Sequence, residues 1–160
     1  MKEITKTATI QVFENQNELP TDVQNLMLKA IEIRKKAYAP YSKFRVGAAI
    51  LLDNGLIVQG SNQENAAYPS GLCAERVAIY HAGSVYPDSK ILKIAISATS
   101  DSFVSTTPIP PCGSCRQSIS EYETKQENLI EIYFMGAEGE VYKSNSISDL
   151  LPFSFGSTFL

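Results

Sequence analysis

The sequence predicts an α/β protein with three layers, α/β/α, built on a mixed sheet of about five strands. Apolar residues at helical spacing alternate along the chain with short β-branched runs bounded by turn residues, as in proteins that alternate strands and helices. Residues 91–98 are almost continuously apolar, which indicates a strand buried on both faces. The 160 residues, 44% apolar and 19% charged, fit one domain with a single core.

The chain divides into an N-terminal extension, residues 1–20, and a main domain, residues 21–160. Alternation over residues 7–13 favours a strand within the extension. We find no internal repeat and no low-complexity segment that would suggest a second domain.

The main domain opens with a helix followed by a hairpin. Thr21 is the predicted N-cap, and apolar residues at helical spacing carry the helix to about Tyr38, two residues before a proline. Two apolar runs, residues 46–52 and 56–60, then flank an Asp-Asn-Gly turn, which is typical of a β-hairpin.

The second half of the domain supplies two helices and the remaining strands. Ser148 and Asp149 are predicted to cap a last short turn. The other predicted elements are a helix over residues 72–81, the buried strand 91–98, a helix that begins near Cys112, and a hairpin formed by residues 129–135 and 141–142.

Charge and hydropathy argue against several functional classes. The net charge of −3 gives no basic face for a nucleic acid backbone. The cationic run at residues 34–36 lies at a predicted helix end, where it complements the helix dipole. No apolar run approaches the ~20 residues of a membrane helix, and the first ten residues lack an apolar signal core. We therefore expect a cytoplasmic protein without a membrane partner.

The three cysteines carry the strongest chemical signal. An odd number in a protein expected in a reducing compartment argues against a disulfide framework. Cys73 lies at the start of one predicted helix, and Cys112 and Cys115 form a CxxC pair at the start of the next. Free N–H groups at helix starts favour thiolates. Three protein ligands with one open position are typical of catalytic zinc, whereas structural zinc usually has four.

His81, the only histidine, does not complete a closed site. It follows Cys73 by eight residues on the predicted helix, which separates the two Cα atoms by ~12 Å along the axis. Zinc–ligand bonds of about 2.0 to 2.3 Å do not allow both side chains to reach one ion. The fourth position is therefore left to solvent or to a carboxylate.

Glu75 and Arg76 follow Cys73 directly and are candidates for catalysis and charge balance. Glu75 is predicted to accept a proton from zinc-activated water and to deliver it to a substrate. Alternatively, it only complements the helix N-terminus. Arg76 is predicted to hydrogen-bond the thiolates and so offset their excess negative charge, the alternative being a surface residue.

With the segments CAE at 73–75 and PCGSCRQ at 111–117, the chain resembles the small, homotetrameric class of zinc-dependent cytidine deaminases. Three further segments resemble this family. They are PYSKFRVGAA at 40–49, NQENAAY at 62–68 and LLPFSFG at 150–156. The extension has no clear counterpart in the shortest members of the family, and the loop at residues 100–111 is longer and richer in Thr and Pro than the family pattern requires.

The resemblance implies one Zn²⁺ per subunit, a nucleoside substrate and a homotetramer with shared active sites. It also implies specific roles outside the zinc site. Asn62 and Glu64 would bind the ribose. Phe44 would pack on the pyrimidine ring, and the Ala66 carbonyl would accept a hydrogen bond from the base. Phe155 would reach the active site of a neighbouring subunit, and Gln117 would support the cysteine loops. Without the resemblance, Phe44 and Phe155 would be interpreted as core residues, and the segment around Asn62 as a polar loop.

The expected reaction is hydrolytic deamination of cytidine and deoxycytidine, with release of ammonia, in pyrimidine salvage. Deamination of another aminopyrimidine nucleoside such as blasticidin S is an alternative that the zinc motif does not distinguish. An editing deaminase of RNA or DNA is disfavoured by the acidic charge. A non-catalytic structural zinc or redox module is the alternative from a different class.

Overall fold

The computed structural model describes residues 1–160 and contains a six-stranded mixed sheet with three α-helices. The strand order is β1-β6-β5-β4-β2-β3, in which β4 and β5 are parallel and all other neighbours antiparallel. The elements are β1 (Gln11–Phe13), α1 (Thr21–Arg34), β2 (Phe44–Leu52), β3 (Ile57–Ser61), α2 (Ala74–Val85), β4 (Ile91–Ser100), α3 (Gly113–Lys125), β5 (Glu131–Met135) and β6 (Val141–Ser144). Short 3-10 turns lie at Gln16–Glu18, Tyr68–Ser70, Ile147–Asp149 and Ser157–Phe159.

The sheet separates two apolar clusters, which confirms the predicted α/β/α layers. Alternate residues of β2 face opposite sides: Ala48 and Ile50 belong to one cluster and Ala49 to the other. The first cluster includes Ile79 of α2 and Ile119 of α3, and the second includes most of the buried side chains of α1. Helices therefore cover both faces of the sheet.

The strand predicted in the extension adds a sixth strand to the sheet. Of the predicted residues 7–13, only Gln11–Phe13 form a strand, and they pair with Val141 to Lys143 of β6. The extension thus forms one edge of the sheet, because β1 is the terminal strand of the sheet and its only neighbour is β6.

Two glycines allow the helices to approach the sheet closely. A Cβ added at Gly47 on β2 would overlap the backbone of α1 at Ala30 and Arg34. A Cβ added at Gly60 on β3 would overlap the backbone of α2 at Ala78. The second contact helps to fix α2, whose first residues follow Cys73, against the sheet.

Three predicted helix boundaries are wrong. Thr21 is the first helical residue and not the N-cap, since Pro20 occupies the cap position without a side-chain hydrogen bond. The helix ends at Arg34 and not near Tyr38, because Tyr38 pairs through its backbone with Asn62 and Glu64 at 3.0 and 2.9 Å. The last turn is capped by Ser146, whose hydroxyl accepts from the backbone of Ser148, so neither Ser148 nor Asp149 caps it.

The run at residues 34–36 is only partly a surface feature. Arg34 lies in the last turn of α1 but turns its side chain into the core, where it donates to Ser97 at 2.6 Å. None of the helices has the length and the apolar character needed to cross a membrane.

Candidate active site

The three cysteines meet where α2 and α3 begin. Cys73 is the N-cap residue of α2, Cys112 is the N-cap of α3, and Cys115 lies in the first turn of α3. Their Sγ atoms all lie within 4.8 Å of one another, with 3.7 Å between Cys73 and Cys112 and 3.5 Å between Cys112 and Cys115. Two helix N-termini, each a source of partial positive charge, therefore face one group of sulfur atoms.

This cluster of three cysteines fits a zinc ion. Tetrahedral coordination with Zn–S bonds of about 2.3 Å separates sulfur atoms by ~3.8 Å, close to the two measured separations. His81 is exposed on α2 and is not part of the cluster. The donor set is thus three soft sulfur atoms, which suits a zinc site with one position left open.

Two of the cysteines differ in their tendency to ionise. The hydrogen bond with Cys115 lowers the pKa of Cys73 to about 5, and Arg76 acts in the same direction against the effect of burial. The same hydrogen bond and burial raise the pKa of Cys115. The surroundings therefore favour ionisation of the Cys73 thiol over that of Cys115, and the thiolate is the form that binds a metal.

Glu75 lies in the first turn of α2 and lines the same pocket as Cys73 and Cys112. Its side chain is only 5% exposed, and burial raises its pKa to about 7. A carboxyl group with such a pKa is able both to accept and to release a proton near neutral pH, as general acid–base catalysis requires. This placement is compatible with the predicted proton-transfer role.

Arg76 lies beside the sulfur cluster. Its Nη2 is 4.0 Å from the Sγ of Cys73, and its Nε is buried without a hydrogen-bond partner. A guanidinium group at this distance offsets negative charge on the sulfur atoms. The side chain also lines the pocket, so it is not simply a residue of the outer helix surface.

The pocket in front of the cysteines has a volume of about 730 Å³. Its apolar wall includes Phe44, Val46, Ile96 and Ala98, which lie on the neighbouring strands β2 and β4. Polar groups from the loop after β3 also line the pocket. Those polar residues are Asn62, Gln63, Glu64 and Asn65.

Asn62 connects this loop to β2. Its Oδ1 accepts from the backbone N–H of Val46 at 2.8 Å, and its Nδ2 donates to the carbonyl of Phe44 at 2.9 Å. The amide side chain therefore holds the strand that presents both apolar residues to the pocket. One lone pair and one N–H of Asn62 are left for a ligand.

Glu64 fixes the turn before β2. Its carboxylate accepts from the backbone N–H groups of Tyr41 and Ser42 at 2.9 and 3.3 Å, and also from the Ser42 hydroxyl. The hydroxyl bond is the main reason that the pKa of Glu64 is lowered. Glu64 is thus a fixed anion at the pocket wall, suited to accept from a hydroxyl group.

Three predicted residues lie outside this pocket. Ala66 lies on an exposed loop. Phe155 is 60% exposed and stacks on Phe159, with 5.8 Å between the ring centroids. Gln117 donates to the carbonyl of Phe155 at 2.8 Å, so it contacts the C-terminal segment and makes no hydrogen bond to the cysteine loops. The structure therefore brings together Phe44, Asn62, Glu64, Arg76 and the catalytic candidates, but not these three.

Sequence reasoning missed several pocket residues. Tyr41 and Tyr68 form an edge-to-face pair with 6.2 Å between centroids at the pocket rim. Ile109 and Pro110 line the pocket from the loop that follows β4. Both tyrosines belong to the quoted family-like segments, and Ile109 and Pro110 directly precede PCGSC, so proximity in sequence was the available signal.

Comparison of the sequence with known proteins identifies a family whose members bind zinc, in agreement with the cysteine cluster. A model of the cytidine and deoxycytidylate deaminase zinc-binding region matches residues 20–130. A cytidine deaminase of Halalkalibacterium halodurans is 38% identical over 137 residues, 84% of this chain and 94% of the relative. Another, from Sporosarcina psychrophila, is 37% identical over 134 residues, 84% of this chain and 91% of the relative.

Solved structures give the same result. The crystal structure of cytidine deaminase from Burkholderia pseudomallei matches with a TM-score of 0.71 and 37% identity, covering 82% of this chain and 97% of that one. The chain belongs to the cytidine and deoxycytidylate deaminase family.

Proposed function

We propose that this protein catalyses the hydrolytic deamination of cytidine and deoxycytidine to uridine and deoxyuridine, with release of ammonia. The observation that carries the proposal is the placement of Glu75 and the cysteine cluster on one 730 Å³ pocket. The named relatives are cytidine deaminases, so a blasticidin S type of substrate is not favoured. The same relatives argue against a non-catalytic zinc or redox module.

Cys73, Cys112 and Cys115 would hold one zinc ion per subunit. When bound, zinc acts as a Lewis acid that lowers the pKa of water and so supplies a nucleophile at neutral pH. Arg76, 4.0 Å from Cys73, would offset the excess negative charge of three thiolates on a divalent ion.

Glu75 would carry the protons. In the proposed sequence its carboxylate accepts a proton from the attacking water and delivers it to N3 of the pyrimidine ring, as oxygen adds to C4. It then takes the second proton of that water and gives it to the exocyclic amine, which leaves as ammonia. The burial of this side chain supports the assignment, because burial brings its pKa close to neutral pH.

The remaining pocket residues would position the nucleoside. Phe44 would pack against the pyrimidine ring, Asn62 and Glu64 would bind the ribose hydroxyl, and the carbonyl of Ala66 would accept from the base. The presence of Phe44, Asn62 and Glu64 on one pocket supports the first two assignments. Ala66 lies outside that pocket in a single chain and would contribute only through a rearrangement or a neighbouring subunit.

We further propose that the protein is a homotetramer with shared active sites and that it acts in pyrimidine salvage in the cytoplasm. Phe153, Phe155 and Phe159 are 71%, 60% and 72% exposed, which suits a segment that a neighbouring subunit covers. Phe155 would then reach the neighbour's pocket. Residues 21–160 would form the deaminase domain and residues 1–20 an extension of it.

Turnover of cytidine, followed by the loss of cytosine absorbance, tests the proposal together with zinc quantitation. Glu75→Gln should leave zinc bound, because no sulfur ligand changes, and should lower kcat by about 10²–10⁴-fold. Glu138→Gln, at an exposed turn, is the matched control and should keep both zinc and rate. A Glu75→Gln enzyme with most of its rate would refute the proton-transfer role. A zinc-loaded wild-type protein without cytidine turnover would refute the function.

A further inference from the structure

Arg116, the residue after Cys115, connects the start of α3 to the C-terminal segment, which we define as residues 147–155. Its Nε donates to the carbonyl of Pro111 at 2.8 Å. Its Nη1 donates to the carbonyl of Leu150 at 2.7 Å. A single partly buried side chain therefore joins the residue before Cys112 to a distant part of the chain.

The carbonyl of Pro111 has a particular need for this partner. Cys112 is the N-cap of α3, and its own carbonyl accepts from the backbone N–H of Arg116 at 2.9 Å. Pro111 lies one residue outside the helix, so the helical hydrogen-bond ladder does not reach its carbonyl. Pro111 is buried, and a buried carbonyl without a donor is costly. The Arg116 side chain supplies that donor and fixes the peptide that leads into Cys112.

The carbonyl of Leu150 is the other end of the connection. Leu150 follows the turn Ile147–Asp149, and the next residue along α3, Gln117, donates to the carbonyl of Phe155. Two adjacent side chains of α3 thus hold the C-terminal segment at two points. The planar guanidinium group has donors in fixed directions, which lets it bond two carbonyls at once, whereas an ammonium group acts as a single charge.

We propose that Arg116 is a positioning residue that couples metal binding at the cysteine cluster to docking of the C-terminal segment. A metal that holds Cys112 also holds the Pro111 carbonyl in place for Arg116, and so favours the bond to Leu150. By linkage, a docked segment must favour metal retention by the same factor. The inference rests on the metal site of the proposed function, and it extends the site from the three ligands to a segment of chain that contains Phe153 and Phe155.

The test uses the full-length zinc-loaded protein and two readouts other than turnover. The first is the rate of zinc transfer to a chromophoric chelator. The second is the rate of chymotrypsin cleavage after Phe153 and Phe155, which are well exposed in the single chain, compared at one protein concentration so that the extent of assembly is the same. Arg116→Gln should raise the zinc transfer rate by about 10-fold or more, as loss of an outer partner of a metal site usually does. It should also speed cleavage of the segment.

The controls separate coupling from a general loss of structure. Lys125→Gln removes a cation from the exposed end of the same helix and should change neither rate. Arg116→Lys should restore part of the zinc retention, because one of the two carbonyls regains a donor. Zinc removal should speed cleavage of the segment in the wild type, but should add little in Arg116→Gln, where the connection is already broken.

Two results would overturn the proposal. One is an Arg116→Gln protein that releases zinc at the wild-type rate. The other is a cleavage rate that responds equally to zinc removal in the wild type and in the variant. If Arg116→Gln does not fold, the test rests on Arg116→Lys and on cleavage of the wild type with and without zinc. A wild-type cleavage rate that does not change when zinc is removed contradicts the coupling. A zinc-loaded wild type that does not turn over cytidine, while zinc transfer and cleavage respond as expected, would bear on the deaminase assignment alone.

Discussion

The guanidinium group of Arg34 donates a hydrogen bond to the hydroxyl of Ser97 at 2.6 Å inside the core. Its other acceptor is the carbonyl of Gly136 at 3.5 Å, to which Ser97 also donates at 2.7 Å. No carboxylate is among these partners, and burial lowers the pKa of Arg34. The buried cation is therefore solvated by neutral dipoles, each of which matters more than it would at the surface.

Ser97→Ala should destabilise the protein by about 1.5–3 kcal/mol, the usual range for a hydrogen bond to a charged group whose partner stays buried. Urea unfolding at neutral pH measures the free energy of unfolding. Ser102→Ala, at an exposed loop position, is the control and should change it by less than about 0.5 kcal/mol. Equal stabilities of the two variants would show that Arg34 finds other partners.

The environment of Arg34 could not be predicted from the sequence. A cation in the last turn of a helix is usually exposed and complements the dipole. Here Gly47 brings α1 so close to the sheet that the Arg34 side chain enters the core. That packing depends on the distance between a helix and a strand, which no local pattern reports.

The cysteine cluster, in contrast to the environment of Arg34, could be predicted from the sequence. Cys73 and Cys112 are cap residues, so the sequence signals that begin a helix also place the two sulfur atoms. The pocket wall was less accessible to prediction. Ile109 and Pro110 line the pocket from the loop after β4, which bonds to the β5–β6 turn, where Ala137 donates to the carbonyl of Ser105 at 2.6 Å. Contacts of this kind depend on tertiary packing and carry no periodic signal.

Asn62→Asp should impair substrate use without loss of zinc. The variant keeps an acceptor for the N–H of Val46, but it loses the donor to the Phe44 carbonyl and places a carboxylate beside it. We expect kcat/KM for cytidine to fall by about 10–100-fold, the equivalent of one hydrogen bond to a charged group. Asn128→Asp, at an exposed position, should leave kcat/KM unchanged. An unaltered kcat/KM in Asn62→Asp would mean that this connection does not position the pocket.

A cluster of charges on β4, β5 and β6 predicts a pH dependence of stability. Glu131 accepts from Lys143 at 2.6 Å and from Tyr133 at 3.0 Å, and Lys93 lies 3.6 Å from it. Burial alone would raise the pKa of Glu131, but these partners outweigh burial and lower it. Because the folded pKa lies below the unfolded value, the stabilisation is present above pH ~4.3 and is lost as the pH falls through the folded pKa.

Glu131→Gln should therefore lower the free energy of unfolding at pH 7 by about 0.5–1 kcal/mol, a value kept small because solvent partly screens the pair. The gap between the wild type and the variant should close as the pH falls below about 4. Urea unfolding of both proteins at pH 7 and pH 3 measures this difference in the free energy of unfolding. A gap of constant size at both pH values would contradict the role of the Glu131 carboxylate.

Truncation of the N-terminus should separate the role of β1 from that of the residues before it. Phe13 packs against the apolar cluster on the α1 side, and β1 covers the hydrogen-bonding edge of β6. A chain that begins at Asn15 loses both, and partial burial of one Phe side chain is worth about 1.5 kcal/mol. We expect its Tm to fall by about 3–6 °C and its tendency to aggregate to rise, because an open strand edge pairs with other chains.

A chain that begins at Thr9 keeps β1 and should stay within about 2 °C of the wild type. Calorimetry measures the Tm, and light scattering measures aggregation. Equal Tm values for the two truncated chains would show that β1 contributes nothing to the stability of the sheet.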